Sequence, residues 1–220
     1  MKRPLDPAAA GSHGLIGRDR ELALLCAAID GSPRGNAVLL AGELGVGKTA
    51  MLDIAHSHGT QTGFQVVPIS GVPAEAATQL AGVHQLLLAL DDRTGAEALP
   101  MGGLDASAEI PRAGMRVLDL LTSRDQPVLV CVDDPHLLDR ASREALLFAA
   151  RRSTGRRLTI VMTLPESAGR EVLDRSRLVD IVLNPLDRTA AEELLDRQPN
   201  APAESGASRC CGTRRATPLP

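Results

Sequence analysis

One segment of eight residues has the composition and spacing of a phosphate-binding loop. Residues 42–49, Gly-Glu-Leu-Gly-Val-Gly-Lys-Thr, match the pattern G-x-x-x-x-G-K-[ST]. Glycines let the backbone wrap around phosphate oxygens, and the N–H groups form an anion nest at the N-terminus of the next helix. In this pattern the lysine reaches the β- and γ-phosphates and the threonine hydroxyl binds Mg²⁺. A chance glycine turn is the alternative. We expect these residues to contact ATP: Gly42, Gly45, Val46, Gly47, Lys48, Thr49 and Ala50.

Two adjacent carboxylates follow an apolar run later in the chain. Residues 128–132 are Val-Leu-Val-Cys-Val, and Asp133 and Asp134 come directly after them. An acidic residue at a strand tip beside a phosphate loop holds the magnesium shell, so we expect Asp133 to be a Mg²⁺ ligand together with Thr49. Asp134 could accept the proton of the attacking water as a general base. A capping or turn role is the alternative for Asp134.

Four further polar residues have two interpretations each. Thr163 ends the predicted fourth strand, so its hydroxyl could take a catalytic role at the γ-phosphate or the attacking water, or could simply end the strand. His136 could sense the nucleotide state or satisfy a loop. Arg151 and Arg152 could act as arginine fingers in an oligomer, or could form a solvated helix end that favours the helix dipole.

The elements that must position these residues alternate along the chain. Such alternation predicts βαβ units and an α/β fold with a parallel sheet covered by helices on both faces. Apolar runs predict strands at 37–41, 64–69, 127–132, 158–162 and 180–183. Helical periodicity predicts helices from about 19 to 30, then at 48–58, 75–90, 113–123, 140–152, 168–175 and 189–197, with a loop at 91–109.

Composition limits the possible functions. The formal net charge is −3, which argues against DNA binding through a broad basic surface. Two Phe and no Tyr or Trp leave few stacking platforms for single-stranded nucleic acid. No apolar run is long enough to span a membrane, and no secretory signal is evident, so a cytoplasmic location is expected. Cys26 and Cys131 lie in apolar runs and are expected to be buried small hydrophobes.

Three segments together with an arginine pair resemble a known family. The chain carries Gly-Arg-Asp-Arg-Glu-Leu at 17–22, the phosphate loop, Asp-Asp-Pro-His at 133–136 within the run 127–139, and Arg-Arg at 151–152. This combination resembles the N-terminal ATPase domain of large LuxR-type, MalT-like transcriptional regulators. These are signal-transduction (STAND) ATPases within the AAA-like P-loop class. The resemblance covers about residues 14–197.

The resemblance implies a P-loop NTPase three-layer sandwich with sheet order 5-1-4-3-2 and an ATP/Mg²⁺ site. It also implies a switch between ADP-bound resting and ATP-bound assembled states, with self-association or regulator proteins as partners. By the same resemblance, Arg18 would lie near the adenine. The chain departs from the family at Thr163, where members typically carry Arg.

We expect three regions: a flexible N-terminus at 1–14, an ATPase domain at 15–197 and a disordered tail at 198–220. The tail differs in composition from what precedes it, which suggests a truncation before any DNA-binding end, so this chain is not expected to bind DNA directly. The expected function is an ATP-binding, weakly hydrolysing switch domain. A stand-alone P-loop enzyme such as a small-molecule kinase, and a non-functional fragment, are the alternatives.

Overall fold

The computed structural model describes residues 15–31, 37–90, 106–153, 157–165 and 178–196. These described residues fall into two compact units, which divide after residue 185. The first unit holds these elements, in chain order: α1 (Asp19–Ile29), β1 (Ala37–Gly42), α2 (Lys48–Gln61), β2 (Gln65–Ser70), α3 (Ala81–Ala89), α4 (Ala106–Thr122), β3 (Val128–Asp133), α5 (Arg140–Arg151), β4 (Leu158–Pro165) and β5 (Val179–Leu183). The second unit contains α6 (Arg188–Asp196).

The five strands form one parallel sheet in the order β2-β3-β4-β1-β5. This is the predicted order 5-1-4-3-2 counted from the other edge, so that prediction is confirmed. Every residue of β1 and β4 is buried, as expected for central strands with both faces covered. The edge strands β2 and β5 are buried only in part.

Successive residues of each strand point to opposite faces of the sheet, and each face packs against its own helices. Leu39, Val130 and Ile160 belong to a core with residues of α3, α4 and α5. Leu40 and Val161 belong to a separate core with residues of α1 and α2. The unit is therefore a three-layer α/β/α sandwich, as predicted.

The helix predicted at 75–90 is shorter than expected. A 3-10 turn covers Pro73–Glu75, and α3 begins only at Ala81. The start is set from outside the segment, because Asp139 Oδ1 accepts a hydrogen bond from the Leu80 backbone N–H at 2.9 Å. Leu80 is held in the left-handed region with φ 62°. A right-handed helix cannot include a residue in this conformation, so α3 cannot extend toward the N-terminus through Leu80.

Helix α4 begins earlier than expected. It runs through Pro111 from Ala106, so the prediction of a loop up to residue 109 is wrong over its last four residues. The polar and glycine-rich composition of 91–109 predicts a loop, but it does not fix the residue at which the following helix begins. The predicted helix at 168–175, the segment 1–14 and the tail 198–220 lie outside the described residues. In the part of the chain that the structure describes, no helix has the length and apolar character needed to cross a membrane.

Candidate nucleotide site

The phosphate loop joins the end of β1 to the start of α2. Gly45 and Gly47 have φ of 79° and 103°, which L side chains rarely adopt, so both positions favour glycine. A Cβ on Gly42 would lie 2.7 Å from the Leu183 carbonyl oxygen and 2.8 Å from a Val46 methyl carbon. The backbone path of the loop therefore requires glycine at all three positions. A chance glycine turn, the alternative considered above, does not explain why all three lie at one junction between a strand and a helix.

Lys48 is the first residue of α2 and is 7% exposed. Its Nζ donates hydrogen bonds to the carbonyl oxygens of Gly42 at 3.1 Å and Glu43 at 2.7 Å. An ammonium group has three N–H donors, so one donor remains for a phosphate oxygen. The burial of a lysine costs free energy unless its charge is compensated, so an anion bound at this position would favour the buried lysine.

Thr49 and Asp133 meet across the site although 84 positions separate them in the sequence. The Thr49 hydroxyl donates a hydrogen bond to Asp133 Oδ2 at 3.1 Å. A threonine hydroxyl and a carboxylate are oxygen ligands of the kind that Mg²⁺ takes together with phosphate oxygens and water. The donor set predicted from the sequence is thus assembled in one place, and its chemistry fits Mg²⁺.

Thr163 lies inside β4, not at its end. The strand continues to Pro165, which pairs with Gly42, and the Thr163 side chain is fully buried. Its hydroxyl donates to Asp133 Oδ1 at 2.7 Å and accepts the backbone N–H of Asp134 at 2.9 Å. The hydroxyl therefore orients the Asp133 carboxylate and fixes the backbone that carries Asp134.

Asp134 leaves the sheet in a left-handed conformation, with φ 48° and ψ 53°. Asp adopts this region more readily than most residues. Its side chain is 45% exposed, and its Oδ1 lies 3.8 Å from His136 Nδ1, too far for a hydrogen bond. The Nδ1 atom is itself buried without a hydrogen-bond partner. The turn therefore places a carboxylate and an imidazole side by side at the edge of the site.

Arg18 precedes α1 and contacts the loop directly. The residue is 5% exposed, and its Nη2 donates a hydrogen bond to the Val46 carbonyl oxygen at 3.0 Å. Its Nη1 lies 3.5 Å from Glu21 Oε1, one turn further along. The guanidinium thus ties the segment ahead of α1 to the phosphate loop.

Two supporting residues were missed in the sequence analysis. A Cβ on Gly71 would collide with the backbone carbonyl oxygen of Asp134. The backbone N–H of Gly71 donates a hydrogen bond to the Asp133 carbonyl oxygen at 2.9 Å. The buried Asp139 caps α5 through the Ser142 N–H, besides binding Leu80. A glycine directly after β2 and the acidic residue before a helix were the available signals.

The two arginines at the end of α5 are placed differently from the other candidates. The Arg152 guanidinium carbon lies 3.7 Å from the centroid of the Phe148 ring. Such cation–π stacking holds the side chain on its own helix. Neither Arg151 nor Arg152 is among the residues that line the cleft described next.

A cleft of about 470 Å³ opens over the phosphate loop. Its lining combines the loop, the start of α2, the turn after β3 and Pro165 at the end of β4. The lining residues are Leu44, Gly45, Gly47, Lys48, Thr49, Ala50, Asp134, His136, Leu137 and Pro165. The volume is in the range of small-molecule sites, and the lining residues fit a nucleoside triphosphate with its metal.

Comparison with known proteins agrees with this geometry. A family model described as "AAA ATPase domain" matches residues 14–162, more than half of the chain. No curated protein matches the sequence.

Several solved structures share the fold. Cdc6p from Pyrobaculum aerophilum is 19% identical, with a TM-score of 0.58 over 82% of this chain and 48% of that one. Drosophila ORC bound to DNA is 20% identical, with a TM-score of 0.58 over 86% and 49%. Domain III of the Thermotoga maritima replication initiation protein DnaA is 15% identical, with a TM-score of 0.52 over 88% and 74%. This chain spans about half the length of the Cdc6p and ORC chains.

Proposed function

Because this chain belongs to the AAA ATPase domain family, we propose that it binds ATP with Mg²⁺ at the phosphate loop and hydrolyses it slowly. The single observation that carries the proposal is the hydrogen bond between Thr49 and Asp133. It joins the two halves of a magnesium donor set directly beside the buried Lys48. A glycine turn with a purely structural role would require neither the lysine nor the carboxylate.

Each residue has a defined task in this proposal. Lys48 and the loop N–H groups bind the phosphate oxygens, and Thr49 and Asp133 hold Mg²⁺, which neutralises phosphate charge when it is bound. Asp134 accepts a proton from the water whose oxygen attacks the γ-phosphorus. As that P–O bond forms, the bond between the γ-phosphorus and the β–γ bridging oxygen breaks, which yields ADP and inorganic phosphate. Thr163 acts through Asp133 and Asp134 as a positioning residue.

Slow turnover follows from the surroundings of Asp134. Its carboxylate is almost half exposed, so bulk water screens the charge that would act on the attacking water. An Asp side chain is also one methylene shorter than a Glu side chain, so its carboxylate lies further from the reacting water than a Glu carboxylate at the same position would. We expect turnover well below the common enzyme range of about 1–10³ s⁻¹.

The proposed biological role is the switch domain of a LuxR-type, MalT-like regulator of the STAND class. Its support is the sequence combination of Gly17-Arg18 and Glu21-Leu22 with the Asp-Asp-x-His turn. Arg18 donates a hydrogen bond to the phosphate loop at Val46, and Asp134 and His136 of the turn line the cleft. In a switch, such contacts convert the presence of the γ-phosphate into movement of neighbouring segments.

Binding is tested by calorimetry and thermal unfolding with Mg·ATP. At about 100 times its Kd, the ligand stabilises the folded state by ~2.7 kcal/mol, which is roughly 5–11 °C for a domain of this size. Lys48→Ala removes the phosphate contact and should abolish the shift. Lys48→Arg keeps the charge. This variant replaces Lys48→Ala in the test if the alanine variant does not fold. Lys2→Ala is the matched control, because it removes the only other lysine.

An equal shift in wild type and in both Lys48 variants would refute the site. For hydrolysis, a phosphate-release assay compares wild type with Asp134→Asn, which should still bind ATP but turn over about 10²–10⁴-fold more slowly. Fast steady-state turnover of the wild type would favour a self-contained enzyme over a switch. Hydrolysis unchanged by Asp134→Asn would remove that residue from the proposed role.

A further inference from the structure

In the described part of the chain, one buried polar side-chain atom has no hydrogen-bond partner, the Nδ1 atom of His136. His136 and Asp134 both line the cleft over the phosphate loop. Asp134 Oδ1 lies 3.8 Å from Nδ1, about 1 Å beyond the usual length of a hydrogen bond. A ring nitrogen that is buried without a partner costs free energy, because it has lost its contact with water. A hydrogen bond to the Asp134 carboxylate would remove that cost.

The backbone that carries the two side chains is held at several points. The Asp134 N–H donates to the Thr163 hydroxyl at 2.9 Å, and the Asp134 carbonyl oxygen accepts the Leu137 N–H at 2.9 Å. The buried Pro135 lies between the two side chains, and its ring fixes φ. Rotation of the side chains therefore closes the gap more easily than movement of the turn. The Asp134 side chain has room to rotate, because it is 45% exposed.

The described cysteines lie away from this pair, and neither is among the residues that line the cleft. Cys131 in β3 is 3% exposed. Burial, with a smaller contribution from the negative charge of Asp53, raises the pKa of its thiol to about 12. Cys26 on α1 is partly exposed. The expectation of a buried small hydrophobe is therefore confirmed for Cys131 and wrong for Cys26.

We propose that His136 is a positioning residue for ATP hydrolysis, whose Nδ1–H donates a hydrogen bond to Asp134 Oδ1 and turns Oδ2 toward the attacking water. This inference rests on the proposed hydrolysis at Asp134. Catalytic hydrogen bonds are often long without substrate and shorten in the complex. A carboxylate held through one oxygen has fewer orientations, so the other oxygen meets the water more often in a productive geometry. The proton of the water still passes to Asp134, and His136 keeps its own.

The first test compares single-turnover hydrolysis by the full chain with three variants of His136. His136→Ala removes the donor, His136→Asn can place an amide N–H where Nδ1 lies, and His136→Gln places its amide near the position of Nε2. A hydrogen bond to a charged group corresponds to about tenfold or more in rate. Solvent screening of the half-exposed Asp134 reduces this, so hydrolysis should slow roughly 3–10-fold in the Ala and Gln variants and recover to within about twofold of wild type in the Asn variant. The Kd for Mg·ATP by calorimetry should not change.

A second substitution distinguishes positioning from a structural role. In Asp134→Asn the base is absent, so adding His136→Ala should slow hydrolysis no further. His56→Ala is the matched control, because His56 is an exposed histidine of α2. Equal slowing in both backgrounds, equal rates in the Asn and Gln variants of His136, or a Kd that rises as the rate falls overturns the proposal. If His136→Ala does not fold, the Asn and Gln variants replace it in both comparisons.

The hydrogen bond is also tested without nucleotide. Nδ1 must carry a hydrogen to donate, and ¹H–¹⁵N spectra of the ¹⁵N-histidine-labelled chain distinguish the two neutral tautomers. At pH 8.5, above the ordinary pKa of histidine, we expect the Nδ1–H tautomer of His136 in wild type and a shift toward Nε2–H in Asp134→Ala. An Nε2–H tautomer in wild type, or no change in Asp134→Ala, refutes the hydrogen bond. This readout needs no ATP, so a wild type that fails to hydrolyse ATP would count against the proposed function and leave this result to decide the contact.

Discussion

Replacing Thr163 by Val separates a positioning role from direct contact with the nucleotide. Valine has nearly the same shape and suits a strand, so the substitution removes the hydroxyl without opening a cavity. The hydroxyl is fully buried and makes hydrogen bonds of 2.7 Å to Asp133 and 2.9 Å from the Asp134 N–H. The variant leaves the Asp134 N–H without its partner and the Asp133 carboxylate with one hydrogen bond fewer.

The size of the effect follows from those two bonds. A hydrogen bond to a charged group contributes about 1.5–3 kcal/mol, and a fully buried N–H without a partner costs about 1–3 kcal/mol, so the partly buried Asp134 N–H falls at the lower end. The effects share one hydroxyl, so we expect Thr163→Val to lower the free energy of unfolding by about 2–4 kcal/mol in the absence of nucleotide. At about 2–4 °C per kcal/mol for this chain length, the melting temperature should fall by roughly 4–16 °C.

Urea unfolding and calorimetry with ATP, each with and without Mg²⁺, measure the outcome. If Thr163 orients Asp133, the variant should lose Mg²⁺-dependent affinity and keep the Mg²⁺-independent part. Thr159→Val is the matched control, because Thr159 is a buried threonine four residues earlier on β4. An unfolding free energy within about 0.5 kcal/mol of wild type, with only hydrolysis impaired, would refute the positioning role and favour direct contact with the γ-phosphate.

Three further predictions concern Gly71, Arg18 and His58, whose Nε2 lies 3.0 Å from Asp30 Oδ1. Gly71→Ala forces the Asp134 turn to move and should cost about 1–3 kcal/mol in urea unfolding; unchanged stability contradicts the tight contact. Arg18→Lys keeps the charge but loses the planar fork at Val46, so the Kd for ATP by calorimetry should rise several-fold, whereas exposed Arg20→Lys should not change it. Folding raises the pKa of His58 from 6.5 to about 9, so its stabilisation is complete below pH 6.5 and is lost through pH 9. Over that window the unfolding free energy should fall by up to about 3 kcal/mol, and the fall should be smaller in His58→Gln.

Local pattern was sufficient for most of the fold and for the chemical groups of the site. The strands predicted at 37–41 and 158–162 could be recognised from a short window, because both faces of a central strand are buried and apolar residues therefore dominate it. The phosphate loop is equally local, since its glycines, lysine and threonine are consecutive. Asp133 could be placed beside it because the carboxyl ends of parallel strands meet at one edge of the sheet.

The tertiary structure alone decided what those groups contact. Thr163 was expected at the end of a strand, but pairing of β4 with β1 continues for two more residues and places its hydroxyl behind Asp133. Helix α3 starts where Asp139 binds it, 59 positions away from Leu80. Arg18 reaches a loop carbonyl 28 positions away.

The residues that sequence analysis missed have the same physical origin. Gly71 is required because the Asp134 carbonyl lies where a Cβ would be. Periodicity and motifs describe what a chain segment can form by itself. Hydrogen bonds, close packing and charge pairing between distant segments depend on the folded arrangement, so they determine the positions of the side chains at the candidate site without a local signal in the sequence.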